Sequence, residues 1–204
     1  MNRLECKEYL ELLDAVSCQD LPWGQLANKT VAISGATGMI GSFLIDVLMR
    51  KIVRDELDCR IVALGRNKNK AKTRLPYLDN DHFAFEQIDI SEVGHRPVQR
   101  ADYVLHLASS THPRAYASNP IGTITCNVDG LRNLLEYSAE CRARLLFASS
   151  VEIYGENRGD VEKFDESYCG YIDCNTMRAC YTESKRLGEA MCQAYISQKG
   201  IDCV

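Results

Sequence analysis

Apolar and polar positions along this chain follow two alternating periods. Short apolar runs at residues 31–34, 60–64, 103–107 and 144–148 have the length of buried strands, and residues 82–88 alternate as a strand does. Between them, residues 42–53, 70–75, 124–141 and 181–198 carry apolar positions at helical spacing. In the third of these helices Val128, Leu131, Leu134 and Leu135 are expected on one side. Residues 2–16 predict an amphipathic helix with Leu4, Leu10, Leu13 and Val16 on one face, ended by Pro22, Trp23 and Gly24. A sixth strand is expected to start at residues 201–204. Strand–helix alternation implies an α/β chain: a Rossmann-type, doubly wound parallel sheet with helices on both faces. The expected division is a helical extension at residues 1–28 and one domain at 29–204, truncated as its sixth strand begins.

The first turn of that pattern is unusual. Gly35-Ala36-Thr37-Gly38-Met39-Ile40-Gly41 follows an apolar strand and opens a helix. Glycine permits positive φ and close backbone approach. A helix starting there points free N–H groups and partial positive charge outward, which suits a pyrophosphate. The spacing is G-x-x-G-x-x-G rather than G-x-G-x-x-G, and a turn that merely packs helix on strand is the structural alternative.

Composition narrows the classes. At 204 residues, 46% hydrophobic and 25% charged, the chain is long enough for one well-buried domain. A net charge of -4 gives no reason to expect nucleic acid or an anionic membrane as partner. No apolar run approaches bilayer-spanning length, and the N-terminus mixes charges into its apolar positions, unlike a signal peptide. The ten cysteines include no C-x-x-C pair, and the spacing of Cys169, Cys174 and Cys180 matches no common zinc pattern. Cys126, Cys141 and Cys192 sit where a small apolar residue would fit. The cysteines read as reduced thiols in a reducing, cytoplasmic compartment, with no metal site.

In a doubly wound fold a dinucleotide lies across the carboxyl ends of the strands. Four places there are candidates for cofactor contact. The glycine loop offers Gly35, Thr37, Gly38, Met39, Ile40 and Gly41. After the second strand, where NAD enzymes place an acid roughly twenty residues past the loop, stands Gly65-Arg66-Asn67-Lys68. Arg66 leans toward NADP, although a solvated basic turn would look the same. Asp89 and Ile90 follow the third strand, where a carboxylate can meet the adenine amino group, and Asp there is also an ordinary turn former. Leu107, Ala108 and Ser109 place small residues after the fourth strand.

Chemistry enters at Tyr181 and Lys185, four residues apart at the start of a helix and so on one face. A tyrosine ordinarily titrates near pH ~10, and a nearby ammonium favours the phenolate. The pair suits removal of a proton from a sugar hydroxyl as hydride leaves the same carbon. Ser150, at the end of the fifth strand, could hydrogen-bond the reacting oxygen, with Glu152 close by.

Gly35-x-x-Gly38-x-x-Gly41, His106-Leu107-Ala108-Ser109, Ser149-Ser150-x-Glu152-x-Tyr154-Gly155 and Tyr181-x-x-x-Lys185 together resemble the extended short-chain dehydrogenase/reductase, or NAD-dependent epimerase/dehydratase, family. The likeness runs from about Lys29 onward. It implies a nucleotide-sugar enzyme with NAD or NADP: Tyr181 as base, Lys185 on the nicotinamide ribose, Ser150 on the substrate hydroxyl. Two stretches resemble the UDP-glucuronate decarboxylases most. One holds Pro113, Tyr116, Asn119-Pro120-Ile121 and Asn127, and the other Arg178-Ala179-Cys180-Tyr181, Lys185-Arg186 and Glu189. That likeness implies a transient 4-ketone, which makes the C5 carboxylate a β-keto acid that loses CO2, with Glu152 positioning substrate or handling protons at C5. A 4,6-dehydratase or 4-epimerase uses the same intermediate, and a non-catalytic NAD(P)-binding module is the alternative of another class. The chain departs from the decarboxylase pattern at Gly65-Arg66, at Ser150 and at Val151, and Val151 also speaks against standard dehydration. The carboxylate-binding arginine is expected beyond Val204, in a substrate-binding part missing from this chain. Related enzymes pair the two long helices in a four-helix bundle, so a homodimer is expected, although core packing alone could account for their apolar stripes.

Overall fold

The computed structural model describes residues 3–110 and 112–204. Asn2, the expected first residue of the N-terminal helix, lies outside them. The chain divides into two compact units, residues 1–88 with 97–107 and residues 89–96 with 108–204.

The first unit contains α1 (Lys7–Ser17), β1 (Lys29–Ser34), α2 (Met39–Asp55), β2 (Cys59–Gly65), α3 (Lys68–Arg74), β3 (Phe83–Gln87) and β4 (Tyr103–His106). Its strands are parallel, in the order β3-β2-β1-β4, with Val31 opposite both Ile61 and Tyr103. Val31 to Ser34 are buried without alternation, as strands covered on both faces are. Ile33, Ile45, Met49, Ile61 and Leu75 form the centre of the core, and each such side chain contributes about 1.5–3 kcal/mol on burial. Strand and helix alternate here as the Rossmann-type reading requires. α2 begins three residues before the expected start, inside the glycine motif itself.

α1 docks on α2 through a buried carboxylate. The side chain of Asp46 is fully inaccessible and receives Arg3 through two nitrogens, at 2.6 and 2.8 Å. It also accepts hydrogen bonds from the hydroxyls of Tyr9 (2.6 Å) and Tyr77 (2.9 Å). Four donors satisfy a charge that burial would otherwise make prohibitive. Burial, reinforced by Asp46, pushes the Tyr77 phenol well above its ordinary value, so it remains a donor. Arg50 adds a two-point contact to Asp14 of α1 at the surface.

The second unit contains α4 (Pro113–Ser118), α5 (Pro120–Cys141), β5 (Arg144–Phe147) and α6 (Ala179–Lys199). α5 starts four residues before the expected position because Asn119 caps it, accepting from the Gly122 amide at 3.1 Å, and Pro120 supplies a pre-set first turn. Leu131, Leu134 and Leu135 are fully buried. Val128 is not with them: it is half-exposed and, with Ile124, lines a groove of about 530 Å³ beside α6. Gly188 lets α6 approach β5, since a Cβ there would lie 2.6 Å from the Phe147 ring. The expected sixth strand is reduced to a single parallel bridge between Leu145 and Cys203. Its hydrogen bonds are nonetheless strand-like: Leu145 N donates to Asp202 O (2.8 Å) and Val204 N to Leu145 O (2.9 Å).

Removing Arg3 leaves the Asp46 carboxylate buried with two phenols only. Arg3→Ala is expected to lower unfolding free energy by about 3 kcal/mol, at the lower end for a broken buried pair because Arg3 is partly exposed. Urea denaturation checks this, and a loss within experimental error of zero would show that α1 docking does not rest on the pair.

Candidate active site

In the first unit, β1 delivers the chain into the glycine loop. Gly35 has φ of 71°, a left-handed conformation that side chains rarely adopt. Its carbonyl accepts from the Gly38 amide at 2.8 Å, closing the turn. Gly41 is required for a different reason, because a Cβ there would lie 2.4 Å from the Gly35 carbonyl oxygen. The loop therefore folds tightly over the first turn of α2. Gly38 caps that helix without any side-chain hydrogen bond to its amides. The first-turn N–H groups keep the partial positive charge of a 17-residue helix. Met39 and Ile40 are exposed, Met39 at 79%. Below the loop, Ser34 and His106 are buried and hydrogen-bonded at 2.8 Å, joining the carboxyl ends of β1 and β4. Leu107 follows, partly buried against the core. Arg66 is exposed just past β2, where its carbonyl accepts from Gln87 Nε2 at 3.2 Å.

In the second unit, Tyr181 and Lys185 occupy the first two turns of α6 and are both buried. The Lys185 ammonium donates to the Ala148 carbonyl at 2.6 Å and sits 4.5 Å from the centre of the Phe147 ring. Burial pushes its pKa down to about 8. The Tyr181 ring stacks on Tyr116, centroids 5.4 Å apart and planes 19° off parallel. Ser150 caps a short 3-10 helix at Val151–Tyr154, its oxygen accepting from the Glu152 amide at 3.2 Å. The hydroxyl hydrogen can still be donated. The Glu152 carboxylate receives Arg178 on one oxygen (3.2 Å) and the Thr182 hydroxyl on the other (3.4 Å). Glu152, Arg178 and Thr182 line a cavity of about 470 Å³ with Glu156, Tyr171 and Asp173. Lys185 binding Ala148 and Thr182 reaching Glu152 bring the start of α6 against the segment that follows β5.

A glycine cradle that a Cβ would fill, and a helix with uncapped amides, fit a dinucleotide pyrophosphate. The NAD dependent epimerase/dehydratase family model matches residues 31–204. The chain belongs to that family. It is 34% identical over 178 residues to UDP-glucuronic acid decarboxylase 1 of Danio rerio, covering 86% of this chain and 40% of the relative. The chain thus spans about half, or less, of the length of the curated relatives it matches. Among solved structures it is similar to a UDP-galactose 4-epimerase, with TM-score 0.66, 27% identity and coverage of 85% of this chain and 54% of the other. A dTDP-glucose 4,6-dehydratase from Streptomyces venezuelae with NAD and TYD bound has the same fold at 21% identity and TM-score 0.68, covering 86% and 53%.

Within this family member, several residues singled out from the sequence have structural duties of their own. Asp89 accepts from both the amide (3.0 Å) and hydroxyl (2.6 Å) of Ser91, an Asx-turn arrangement. Ile90 is a core residue whose carbonyl accepts from Asn133. The Ala108 carbonyl faces the Cys126 thiol. Ser109 opens a relay: it donates to Asn127 (2.7 Å), which donates to Ser184 (2.8 Å), which donates to the Tyr181 carbonyl (2.8 Å).

That relay was only half visible in the sequence. Asn127 stood out by resemblance alone, Ser184 not at all. A buried Asn in a helix, exposed to no solvent and facing a serine one turn from a tyrosine, is the signal that would have found it. Thr182, as the partner of Glu152, was likewise missed. Its spacing of four from Arg178, the residue before α6, brings both to the Glu152 carboxylate.

The depressed Lys185 pKa sets a pH dependence. A protonated Lys185 is penalised in the folded protein, so the penalty is complete below its folded value of about 8 and fades as pH rises toward that of an unfolded lysine, 10.5. The shift corresponds to about 3 kcal/mol. Lys185→Met without cofactor is therefore expected to be more stable than the parent at pH 7, the gap narrowing between pH 8 and 10.5. Urea titrations across that range test it, and a gap independent of pH would contradict it.

Proposed function

We propose that this chain is the cofactor-binding and proton-transferring part of a nucleotide-sugar enzyme that works through a transient 4-ketone, most like a UDP-glucuronate decarboxylase. The observation that carries the reading is the Lys185–Ala148 contact. It fixes the Tyr181 helix against the segment bearing Ser150 and Glu152. The 34% likeness to a UDP-glucuronic acid decarboxylase supports the choice of substrate.

In the first unit Gly35, Thr37, Gly38, Met39, Ile40 and Gly41 would hold the pyrophosphate, and Arg66 the ribose end, where a basic residue favours NADP. In the second, Asp89 and Ile90 would serve the adenine. Leu107, Ala108 and Ser109 would lie beneath the dinucleotide. NAD or NADP supplies a hydride acceptor that is restored within one turnover. The chain's own groups do the rest. Tyr181 takes the proton of the sugar 4-hydroxyl as a general base, a role worth about 10²–10⁴ in rate. Lys185 holds a ribose hydroxyl and keeps positive charge beside the phenol. Ser150 donates to the reacting oxygen, and Glu152 stands ready for proton transfer at C5. Once C4 is a ketone, the C5 carboxylate leaves as CO2 and C5 is reprotonated before C4 is reduced.

A 4-epimerase on the same residues is the second reading, favoured by the 27% identity to a UDP-galactose 4-epimerase. Apolar side chains left exposed at the start of α5 and along α6, Ile121, Ile124 and Leu187, support pairing of these helices in a homodimer, which light scattering checks. The free state of the cysteines suits a reducing compartment such as the cytoplasm.

Protein carrying this chain, given UDP-glucuronate with NAD⁺ or NADP⁺, is expected to release CO2. Tyr181→Phe should cut the rate about a thousandfold. Turnover of UDP-sugars without CO2 would favour the epimerase, and no turnover a binding module. Tighter binding of NAD⁺ than NADP⁺ would remove Arg66 from its role.

A further inference from the structure

Two cysteines from different elements share a cavity in the second unit, away from Tyr181. Cys192 lies on α6, buried, seven residues beyond Lys185. Cys203 lies in the segment bridged to β5, partly exposed. Both residues line one cavity of about 300 Å³ with Ser149 and Glu189. The two neighbours that flank Cys203 are tied to Leu145 by backbone hydrogen bonds, which fixes its backbone beside β5.

We propose that Cys192 and Cys203 are an oxidisable dithiol that a hydroperoxide converts into a disulfide joining α6 to the β5-bridged segment. The more accessible Cys203 attacks the peroxide, breaking the O–O bond to give a sulfenic acid and releasing water or alcohol. Cys192 then attacks that sulfur, forming the S–S bond and expelling water. The dithiol loses two electrons and two protons, and the peroxide takes both. Cys192 is buried, whereas Cys203 is partly exposed and open to a peroxide. This polarity gives one thiol for attack and one for resolution. Among the other cysteines, Cys169 and Cys174 are exposed on the surface and serve as internal standards for unassisted oxidation.

The experiment is peptide mapping. Trypsin cleaves after Lys199, so Cys192 falls in residues 187–199 and Cys203 in the peptide that starts at Gly200. After stoichiometric hydrogen peroxide and alkylation, those two peptides should appear joined under non-reducing conditions, and separate on reduction. Cys203→Ser should abolish the link. Cys192→Ser should leave a dimedone-trappable sulfenic acid on Cys203. The proposal is overturned if both residues are alkylated as free thiols at doses that already oxidise Cys169 and Cys174. It is also overturned if Cys203 is linked to another cysteine. None of these readouts depends on turnover, so failure here leaves the decarboxylase reading untouched.

Discussion

At the start of α6 the second unit buries an ammonium. Lys185 is 2% exposed, and its charge faces the Ala148 carbonyl and the Phe147 ring. Burying an ammonium costs several kcal/mol, which one carbonyl and an aromatic face offset only in part. A leucine or methionine would fill the space against Phe147 with less penalty. On the proposed reading a ligand hydroxyl would complete the lysine's donors, and the cost would then belong to function rather than to folding.

In the first unit the proposed cofactor site rests on shape. Gly35 and Gly41 let a carbonyl and a helix turn occupy space that any side chain would fill. The attraction comes from amide dipoles at the start of α2, which burial does not penalise as it does a charge. The same helix, on its far side, carries Asp46 and receives the N-terminal segment. α2 is thereby braced against α1 while its first turn stays open.

Much of this was legible in the sequence because period and punctuation agree. Buried parallel strands read as continuous apolar runs, and β1 and β2 stood out for that reason, whereas β5 is apolar in sequence but leaves Leu146 exposed. The glycine loop and the Tyr181–Lys185 spacing were legible because backbone geometry and helix periodicity translate directly into residue spacing. Less visible were features set by partners distant in sequence. Val128 fits the apolar stripe of α5 by spacing, yet which flank meets the core is decided by where β5 and α6 lie. The start of α5 was misplaced because Asn119 and Pro120 are polar or rigid rather than periodic. The Ser109–Asn127–Ser184 relay joins three segments that no local pattern connects.

α6 gathers these threads because its faces carry different chemistry at helical spacing. One presents Tyr181 and Lys185, and an adjoining one presents Arg178 and Thr182 to Glu152. Gly188 removes side-chain bulk where β5 passes, and one turn later Cys192 shares a cavity with Cys203. The helix is polar enough that propensity alone would not place it; its position is fixed by contacts at both ends. A rigid rod fixed at both ends keeps the Tyr181 hydroxyl and the Lys185 ammonium in register. The proposed role of Tyr181, lifting one proton as one hydride departs, would need that constancy, because misplacement by about an ångström can cost a hundredfold in rate.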